Sequence, residues 1–144
     1  MMIHHLVRAK GPNVHTVAPD STVRDAVTLM ASARVGALVV SVDGTTIGGV
    51  FSERDVMRGL AEHGAEVLDM PVRALMTSDV QTCAPADTID GLMSVMTERR
   101  IRHVPVVEDG RMVGIVSIGD VVKHRIVELE DERTALTDYI TTGR

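Results

Sequence analysis

The sequence predicts an α+β (α/β) fold of two pseudo-symmetric βαββα units packed through their sheets, followed by a long C-terminal helix. Three observations predict this fold: an internal duplication with an offset of 66 residues, the same order of strand and helix patterns in each copy, and a charged helical pattern after the second copy. One unit of roughly sixty residues buries too little surface to be stable alone. The two copies are therefore expected to pack against each other.

Three segments recur in the same order and establish the duplication. Residues 14–22 (VHTVAPDST) match residues 80–88 (VQTCAPADT), and the endings GVFSERD and GIVSIGD match each other, as do the lead-ins VRAK and VRAL that begin at Val7 and Val72. The predicted division of the chain is a first repeat over 7–62, a linker with a short helix over 63–79, the core of a second repeat over 80–125, and a C-terminal helical tail over 126–144.

Each copy begins with a predicted short strand followed by a helix. The strands lie around Thr16 and Thr82 and end at a proline, which suits a turn. Thr22 and Thr88 are then good N-cap residues for helices whose apolar residues follow a helical spacing.

A predicted hairpin and a second helix complete each copy. The outgoing strands are 37–42 and 104–107, the returning strands are 47–51 and 112–116, and the turns between them contain Asp-Gly at 43–44 and 109–110. Asp-Gly readily adopts the positive φ angles of a tight hairpin. The second helices are expected to begin near Ser52 and Ser117.

The linker and the tail carry apolar residues that need a partner. Val72, Leu75 and Met76 predict a short helix that docks on the body. The tail helix, about 120–140, has an apolar stripe: Val122, Ile126, Leu129, Leu136 and Ile140. This stripe fits either the chain's own body or a second subunit.

Composition and motifs exclude several functions. The net charge of −5 and the presence of only two aromatic residues argue against nucleic acids and anionic membranes as partners. Cys83 is the only cysteine and is expected to be a small buried residue of a strand.

The beginning of the chain does not resemble a signal peptide and no long apolar run is present, so a cytoplasmic location is expected. His4 and His5 are expected in a flexible N-terminus. The histidines lack metal-ligand spacing and no catalytic motif is found, so neither a metal site nor an enzyme is predicted.

The Thr-Val-Ala-Pro and Thr-Cys-Ala-Pro openings, the segment Arg102-His-Val-Pro-Val106 and the paired G-x-x-S-x-x-D endings resemble the CBS domain. The tandem arrangement is similar to a Bateman module, and the resemblance covers about residues 7–125. It implies a disc-like pair with two clefts, in which family members often bind AMP, ADP, ATP, S-adenosylmethionine or a dinucleotide such as NAD. It also implies a homodimer formed through helices.

The resemblance implies two composite sites, each combining residues of both repeats. One would contain Ser52, Asp55, Thr82, Ile101, Arg102, His103 and Pro105, and the neighbouring cations Arg54 and Arg100 are expected to join it. The other would contain Ser117, Asp120, Thr16, Val35, Gly36 and Ala37.

The chemistry of Ser-x-x-Asp at a helix start suits an adenylate. The carboxylates of Asp55 and Asp120 can accept hydrogen bonds from ribose hydroxyls, and a helix N-terminus can hold an oxygen of the ligand. The same motif is also an ordinary capping arrangement.

The cations are unequal between the predicted sites. Arg102 and His103 lie beside Arg99 and Arg100 in the second copy, where the first has Gly36 and Ala37. The Asp55 site is therefore expected to bind a phosphate-bearing ligand, AMP first among the candidates. The Asp120 site is expected to bind a less charged ligand or none.

Three functions follow from these observations. The leading interpretation is a regulatory module that binds an adenine nucleotide and transmits the ligand state to a regulated protein partner. The alternatives are a structural dimerisation module without an obligatory ligand and, with least support, an unrecognised nucleotide hydrolase.

Overall fold

The computed structural model describes residues 1–11 and 14–142, so residues 143–144 of the predicted tail lie outside the described residues. The elements follow the duplicated order of the sequence. They are α1 His4–Lys10, β1 Thr16–Val17, α2 Val23–Ala33, β2 Ala37–Val40, β3 Gly49–Ser52, α3 Glu53–His63, 3₁₀ turns at Gly64–Asp69 and Val72–Ala74, α4 Ile89–Arg99, β4 His103–Glu108, β5 Arg111–Ser117 and α5 Ile118–Thr142. The predicted mixed fold with two units and a long C-terminal helix is confirmed.

Each repeat contributes its own sheet. In the first, β1 runs parallel to β2, and β2 pairs antiparallel with β3. In the second, β4 and β5 pair antiparallel. The strand predicted around Thr82 is reduced to a single parallel bridge between Cys83 and Val106. That bridge is the counterpart of Val17 beside Val40 in the first sheet, so the pairing of the two copies is related even where the second is shorter.

The predicted helix starts are confirmed in both repeats. The Thr22 hydroxyl accepts a hydrogen bond from the Asp25 N–H at 3.2 Å, and the Thr88 hydroxyl accepts one from the Gly91 N–H at 3.0 Å. Each bond satisfies one of the backbone donors that a helix leaves free in its first turn.

The two predicted hairpin turns have different outcomes. Asp109 and Gly110 both have positive φ, 52° and 76°, and join β4 to β5 as a two-residue turn, as predicted. The prediction of a tight turn at 43–44 is wrong, because β2 ends at Val40 and β3 begins only at Gly49. The Asp43 carboxylate accepts from the N–H groups of Thr45 and Thr46, which closes a wider loop.

The two lead-in segments pack reciprocally. The N-H of Ile3 donates to the Asp87 carbonyl of the second repeat, and the N–H of Val72 donates to the Ser21 carbonyl of the first. Ile3 and Leu6 are buried in the second core, whereas Val72 is buried in the first. The expectation of a flexible N-terminus is wrong for residues 4–10, since they form a helix that Ile3 and Leu6 anchor in the second core.

These bonds also correct the register of the duplication in the lead-ins. The VRA triplets at Val7 and Val72 match by letter, but the backbone contacts make Ile3 the counterpart of Val72. Gly114 confirms the shift, because the side chain packed over it is Val7, whereas Met76 packs over the equivalent Gly49. The structural offset of the lead-ins is therefore 69 residues rather than 65.

The apolar stripe of α5 is not covered by the chain itself. Val121 is buried in the second core, but the five residues of the predicted stripe are between 51% and 71% exposed. Packing of the stripe on the chain's own body is therefore wrong. The seam against a second subunit stays a prediction.

Candidate functional site

A cavity of about 380 Å³ is lined by residues of both repeats. The first repeat contributes the start of α3 and the second contributes the segment between α4 and β4. Its lining is Gly36, Val50, Ser52, Glu53, Arg54, Asp55, Arg58, Thr77, Asp79, Val80, Gln81, Arg99, Arg100, Ile101, Arg102 and His103. Seven of the nine residues predicted for the Asp55 site therefore line one cavity, and the other two, Thr82 and Pro105, lie outside this lining.

Asp55 is held in the first turn of α3 by its own backbone. Its Oδ2 accepts from the Ser52 N–H at 2.9 Å and from the Ser52 hydroxyl at 3.2 Å. Its Oδ1 accepts from Nη2 of Arg58 at 2.5 Å. Only 3% of Asp55 is exposed, so in this arrangement Arg58 covers the carboxylate. A ligand that reaches Asp55 must displace the Arg58 side chain, which is half exposed and lies on the same helix.

The opposite wall is built by the end of α4. Arg100 ends that helix in the left-handed conformation, with φ of 53°. The chain then turns into β4, which begins at His103. The Nη1 of Arg54 donates to the Arg100 carbonyl at 3.4 Å, so the cationic residues of the two repeats meet here.

Gly36 has a place that differs from the prediction. The resemblance places it in the Asp120 site, but it lines the Asp55 cavity, close to Glu53 and His103. A Cβ at this position would lie 3.2 Å from the Glu53 carboxylate and 3.4 Å from the His103 ring. Glycine therefore permits the close approach of the two repeats at this point.

The cavity lining has an excess of positive charge. It contains five guanidinium groups, from Arg54, Arg58, Arg99, Arg100 and Arg102, against three carboxylates, from Glu53, Asp55 and Asp79. Guanidinium groups suit phosphate oxygens because their planar forks donate in pairs.

His103 is a neutral member of the cavity lining at neutral pH. Burial lowers the pKa of its imidazole, and the positive charges of Lys10 and Arg102 lower it further, against the opposing effects of Glu53 and Asp120. The ring can still donate one hydrogen bond, and it gains a charge only below its usual titration range.

Thr82 and Pro105 have other roles. Thr82 is exposed and lines a separate small cavity with Cys83 and Thr88. Pro105 is buried in β4, and its carbonyl accepts from the Cys83 N–H at 3.0 Å. This backbone bond is part of the parallel bridge between Cys83 and Val106, so the Pro105 carbonyl already has a hydrogen-bond donor.

Sequence reasoning missed the segment 77–81 and Arg58. Thr77 reaches the cavity because its N–H and carbonyl pair with Val50 at 2.9 and 3.0 Å, adding a linker residue to the edge of β3. Arg58 lies three residues after Asp55, a spacing that puts both side chains on one helix face. That spacing was visible in the sequence.

The residues predicted for the second site are dispersed. Val35 and Gly36 line a groove with Val27, Met30, Ala31, Arg34, Glu53 and Val56, without Ser117 or Asp120. Ala37 is buried in β2 and pairs with Ser52, and Thr16 in β1 pairs with Val39 in β2.

Asp120 is paired with a residue from the opposite end of the chain. Its Oδ2 accepts from the Ser117 N–H and from Nζ of Lys10, both at 2.8 Å. Burial raises the pKa of the Asp120 carboxyl, but the Lys10 and Ser117 hydrogen bonds and the Lys10 charge outweigh it, so the pKa is lowered overall.

The described residues bear on three other kinds of function: metal binding, a reactive thiol and a membrane-spanning helix. No group of three or more histidine, cysteine or acidic residues that could hold a metal ion is found within 1–11 and 14–142. Burial, followed by the charge of Asp87, raises the pKa of the Cys83 thiol to about 12, so the thiol is a poor nucleophile. In the part of the chain that the structure describes, no helix is both long enough and apolar enough to span a bilayer.

Comparison with known proteins identifies the family. The CBS domain model matches residues 9–62 and 72–126. The chain is 43% identical to the CBS-domain containing protein ATU1752 of Agrobacterium tumefaciens, whose crystal structure superposes with a TM-score of 0.83 over 87% of this chain and 99% of that one. The CBS domain protein PAE2072 of Pyrobaculum aerophilum, solved in complex with AMP, is 31% identical, with a TM-score of 0.78 over 90% of this chain and 97% of that one.

A longer plant relative matches as well. The mitochondrial CBS domain-containing protein CBSX3 of Arabidopsis thaliana is 39% identical over 128 residues, which is 86% of this chain and 62% of the plant protein. The chain thus spans less than two thirds of that relative. Two family matches in tandem, each coinciding with one structural repeat, show that the chain belongs to the CBS-domain family.

Proposed function

We propose that this protein is a regulatory module that binds an adenine nucleotide at the Asp55 cavity, with AMP first among the candidates. The observation that carries the proposal is the meeting, in one cavity, of Asp55 from the first repeat with Arg102 and His103 from the second. A volume of about 380 Å³ falls within the range of small-molecule sites. A related protein of known structure was solved in complex with AMP.

The groups of the cavity match the parts of a nucleotide. The Asp55 carboxylate can accept hydrogen bonds from the ribose hydroxyls once Arg58 moves aside. The guanidinium groups of Arg100 and Arg102 can bind the phosphate as bidentate donors. Ile101 and Val80 offer apolar side chains for the base, and backbone groups beside them can read its edge.

Arg58 exchanges its partner in this proposal. In the absence of ligand its guanidinium neutralises Asp55. When ribose hydroxyls take over the carboxylate, Arg58 is released close to the ligand, where a phosphate can replace Asp55 as its counter-ion. Binding thus alters an ion pair on α3, and this change is a route by which the ligand state can reach a partner.

A melting experiment with a ligand panel tests the proposal. AMP, ADP, ATP, NAD and S-adenosylmethionine are compared with GMP as a phosphate-matched control. A ligand at about 100 times its Kd should add roughly 2.7 kcal/mol to the free energy of unfolding. Absence of a shift with every adenine ligand, or equal shifts with AMP and GMP, contradicts an adenylate-specific site. Mass spectrometry of any small molecule that co-purifies would identify the natural ligand.

A homodimer is the second part of the proposal. The apolar stripe of α5 is exposed, and Met57 and Leu60 on α3 are exposed as well. Burying such side chains is the usual driving force of subunit association. The same exposed residues favour the alternative function, a dimerisation module without an obligatory ligand. That alternative predicts that replacing both Asp55 and Asp120 by alanine leaves partner binding unchanged.

A further inference from the structure

Lys10 and Asp120 form an ion pair that makes the two repeats unequal. Nζ of Lys10 donates to Oδ2 of Asp120 at 2.8 Å and to the Ile115 carbonyl at 2.9 Å. The ammonium is thus fixed at two points of the second repeat. About a third of each side chain is exposed, 35% for Lys10 and 28% for Asp120, so solvent screens this pair only partly.

The Lys10 ammonium occupies one oxygen of Asp120, as the Arg58 guanidinium occupies one oxygen of Asp55. Oδ2 of Asp120 accepts from Lys10 and also from the Ser117 N–H. Two donors fill the two lone-pair positions of one carboxylate oxygen. A ribose that bridges both oxygens of Asp120 through neighbouring hydroxyls therefore has to displace the Lys10 ammonium.

Arg58 covers Asp55 in a different manner. It lies three residues away on the same helix and its side chain is half exposed, so its release requires no movement of another element. Lys10 instead belongs to α1, a helix that Ile3 and Leu6 anchor in the second core. Its release breaks a bond to the Ile115 carbonyl as well as the ion pair.

The lead-ins show the origin of this asymmetry. Counted from the equivalence of Ile3 with Val72, the counterpart of Lys10 in the other lead-in is Asp79, which lines the open cavity. The backbones differ, because α1 stays helical as far as Lys10 whereas Thr77 is extended and pairs with Val50. One lead-in delivers an ammonium group to its carboxylate, and the other places a carboxylate in the cavity wall.

We propose that Lys10 is a built-in competitor for the ribose at Asp120, so that one chain binds one adenylate and binds it at Asp55. The inference rests on the proposed function, because Asp120 is the counterpart of Asp55 in the second repeat of the same module. It makes Lys10 the residue that decides how many ligands the module holds.

Calorimetric titration tests the role of Lys10. Wild type, Lys10→Met, Lys10→Arg and Arg8→Met are first saturated with AMP and then titrated with adenosine, a ribose ligand without phosphate. Methionine keeps the length of the side chain without its charge, whereas arginine keeps the charge. Arg8 is an exposed cation of the same helix and serves as the matched control. Melting curves establish that each variant is folded.

The expected result is one ligand per chain for wild type, Lys10→Arg and Arg8→Met, and a second ribose ligand, AMP or adenosine, only in Lys10→Met. In that variant, Asp120→Ala should abolish the second binding event. Two ligands per wild-type chain, or no second ligand in folded Lys10→Met, would overturn the role of Lys10 while leaving AMP binding intact. Failure of every protein to bind either ligand would instead contradict the proposed function, and the inference with it.

Discussion

Arg54 of the first repeat donates a hydrogen bond from Nη1 to the carbonyl of Arg100 in the second, at 3.4 Å. The bond links the two repeats at the cavity that both residues line. Because the bond from Arg54 ends on the backbone carbonyl of Arg100, the guanidinium of Arg100 remains available to an anion. Cations that lie far apart in the sequence are thereby collected at one site.

Arg102→Gln should separate phosphate binding from nucleoside binding. A hydrogen bond to a charged group contributes about 1.5–3 kcal/mol, so AMP affinity should fall roughly tenfold to a hundredfold. Adenosine, which has no phosphate, should bind with nearly unchanged affinity. Calorimetry with both ligands measures the two effects. Equal losses for AMP and adenosine would show that Arg102 does not contact the phosphate.

His103 should make AMP binding depend on pH. Its pKa is lowered in the folded protein by burial first and then by Lys10, and a bound phosphate would raise it again. AMP affinity relative to that of His103→Gln should therefore increase as the pH falls below about 6.5, towards the lowered pKa of His103. The variant controls for the titration of the phosphate itself. A constant ratio of the two affinities would remove His103 from the phosphate site.

The same histidine should affect stability in the opposite direction. A pKa lowered by folding means that the unfolded chain binds the proton more readily. The stability associated with neutral His103 is present above the unfolded pKa of about 6.5 and is lost as the pH falls towards the folded pKa. Urea unfolding without ligand should thus show a smaller loss at acidic pH for His103→Gln than for wild type. Parallel curves would contradict this prediction.

Ile3→Ala should destabilise the protein although it lies at the N-terminus. Ile3 is fully buried in the second core, and truncating a buried isoleucine to alanine costs about 2–5 kcal/mol. Val42→Ala is the control, because Val42 is 79% exposed in the loop after β2, and it should cost much less. Urea unfolding compares the two variants. Similar small changes for both would show that α1 does not belong to the core.

Ile126→Glu should separate the proposed dimer into single chains. Ile126 is 51% exposed in the apolar stripe of α5, and a buried unpaired carboxylate is strongly unfavourable at an interface. Asp131→Arg is the control, since residue 131 lies about 140° around the helix. Light scattering should give twice the 15.5 kDa chain mass for wild type and the control, and the single mass for Ile126→Glu. A monomeric wild type would contradict the dimer.

Local patterns carried most of the fold prediction. The caps at Thr22 and Thr88 and the turn at 109–110 depend on contacts within a few residues, so the sequence pattern was sufficient for them. The prediction of a tight turn at 43–44 was wrong for a local reason as well. The Asp43 side chain bonds to the next backbone N–H groups, and this competes with a tight hairpin.

Long-range contacts account for what the sequence did not predict. Lys10 and Asp120 are 110 residues apart, and no local pattern pairs them. The predicted register of the lead-ins was wrong. The identical VRA triplets at Val7 and Val72 suggested that these residues are equivalent, but the backbone hydrogen bond of Ile3 makes Ile3 the counterpart of Val72. The gathering of Asp55 with Arg102 was expected only because of the family resemblance, since it depends on how the repeats are arranged.

The central claim is that the Asp55 cavity binds one adenylate, and calorimetric titration of AMP into Asp55→Ala and Asp120→Ala tests it most directly. Both carboxylates accept from the N–H of the serine three residues earlier, so the two variants lose equivalent capping bonds. The account predicts one AMP per chain for wild type and Asp120→Ala, and a loss of at least about tenfold in affinity for Asp55→Ala. Unchanged binding by folded Asp55→Ala, or a loss confined to Asp120→Ala, would contradict it.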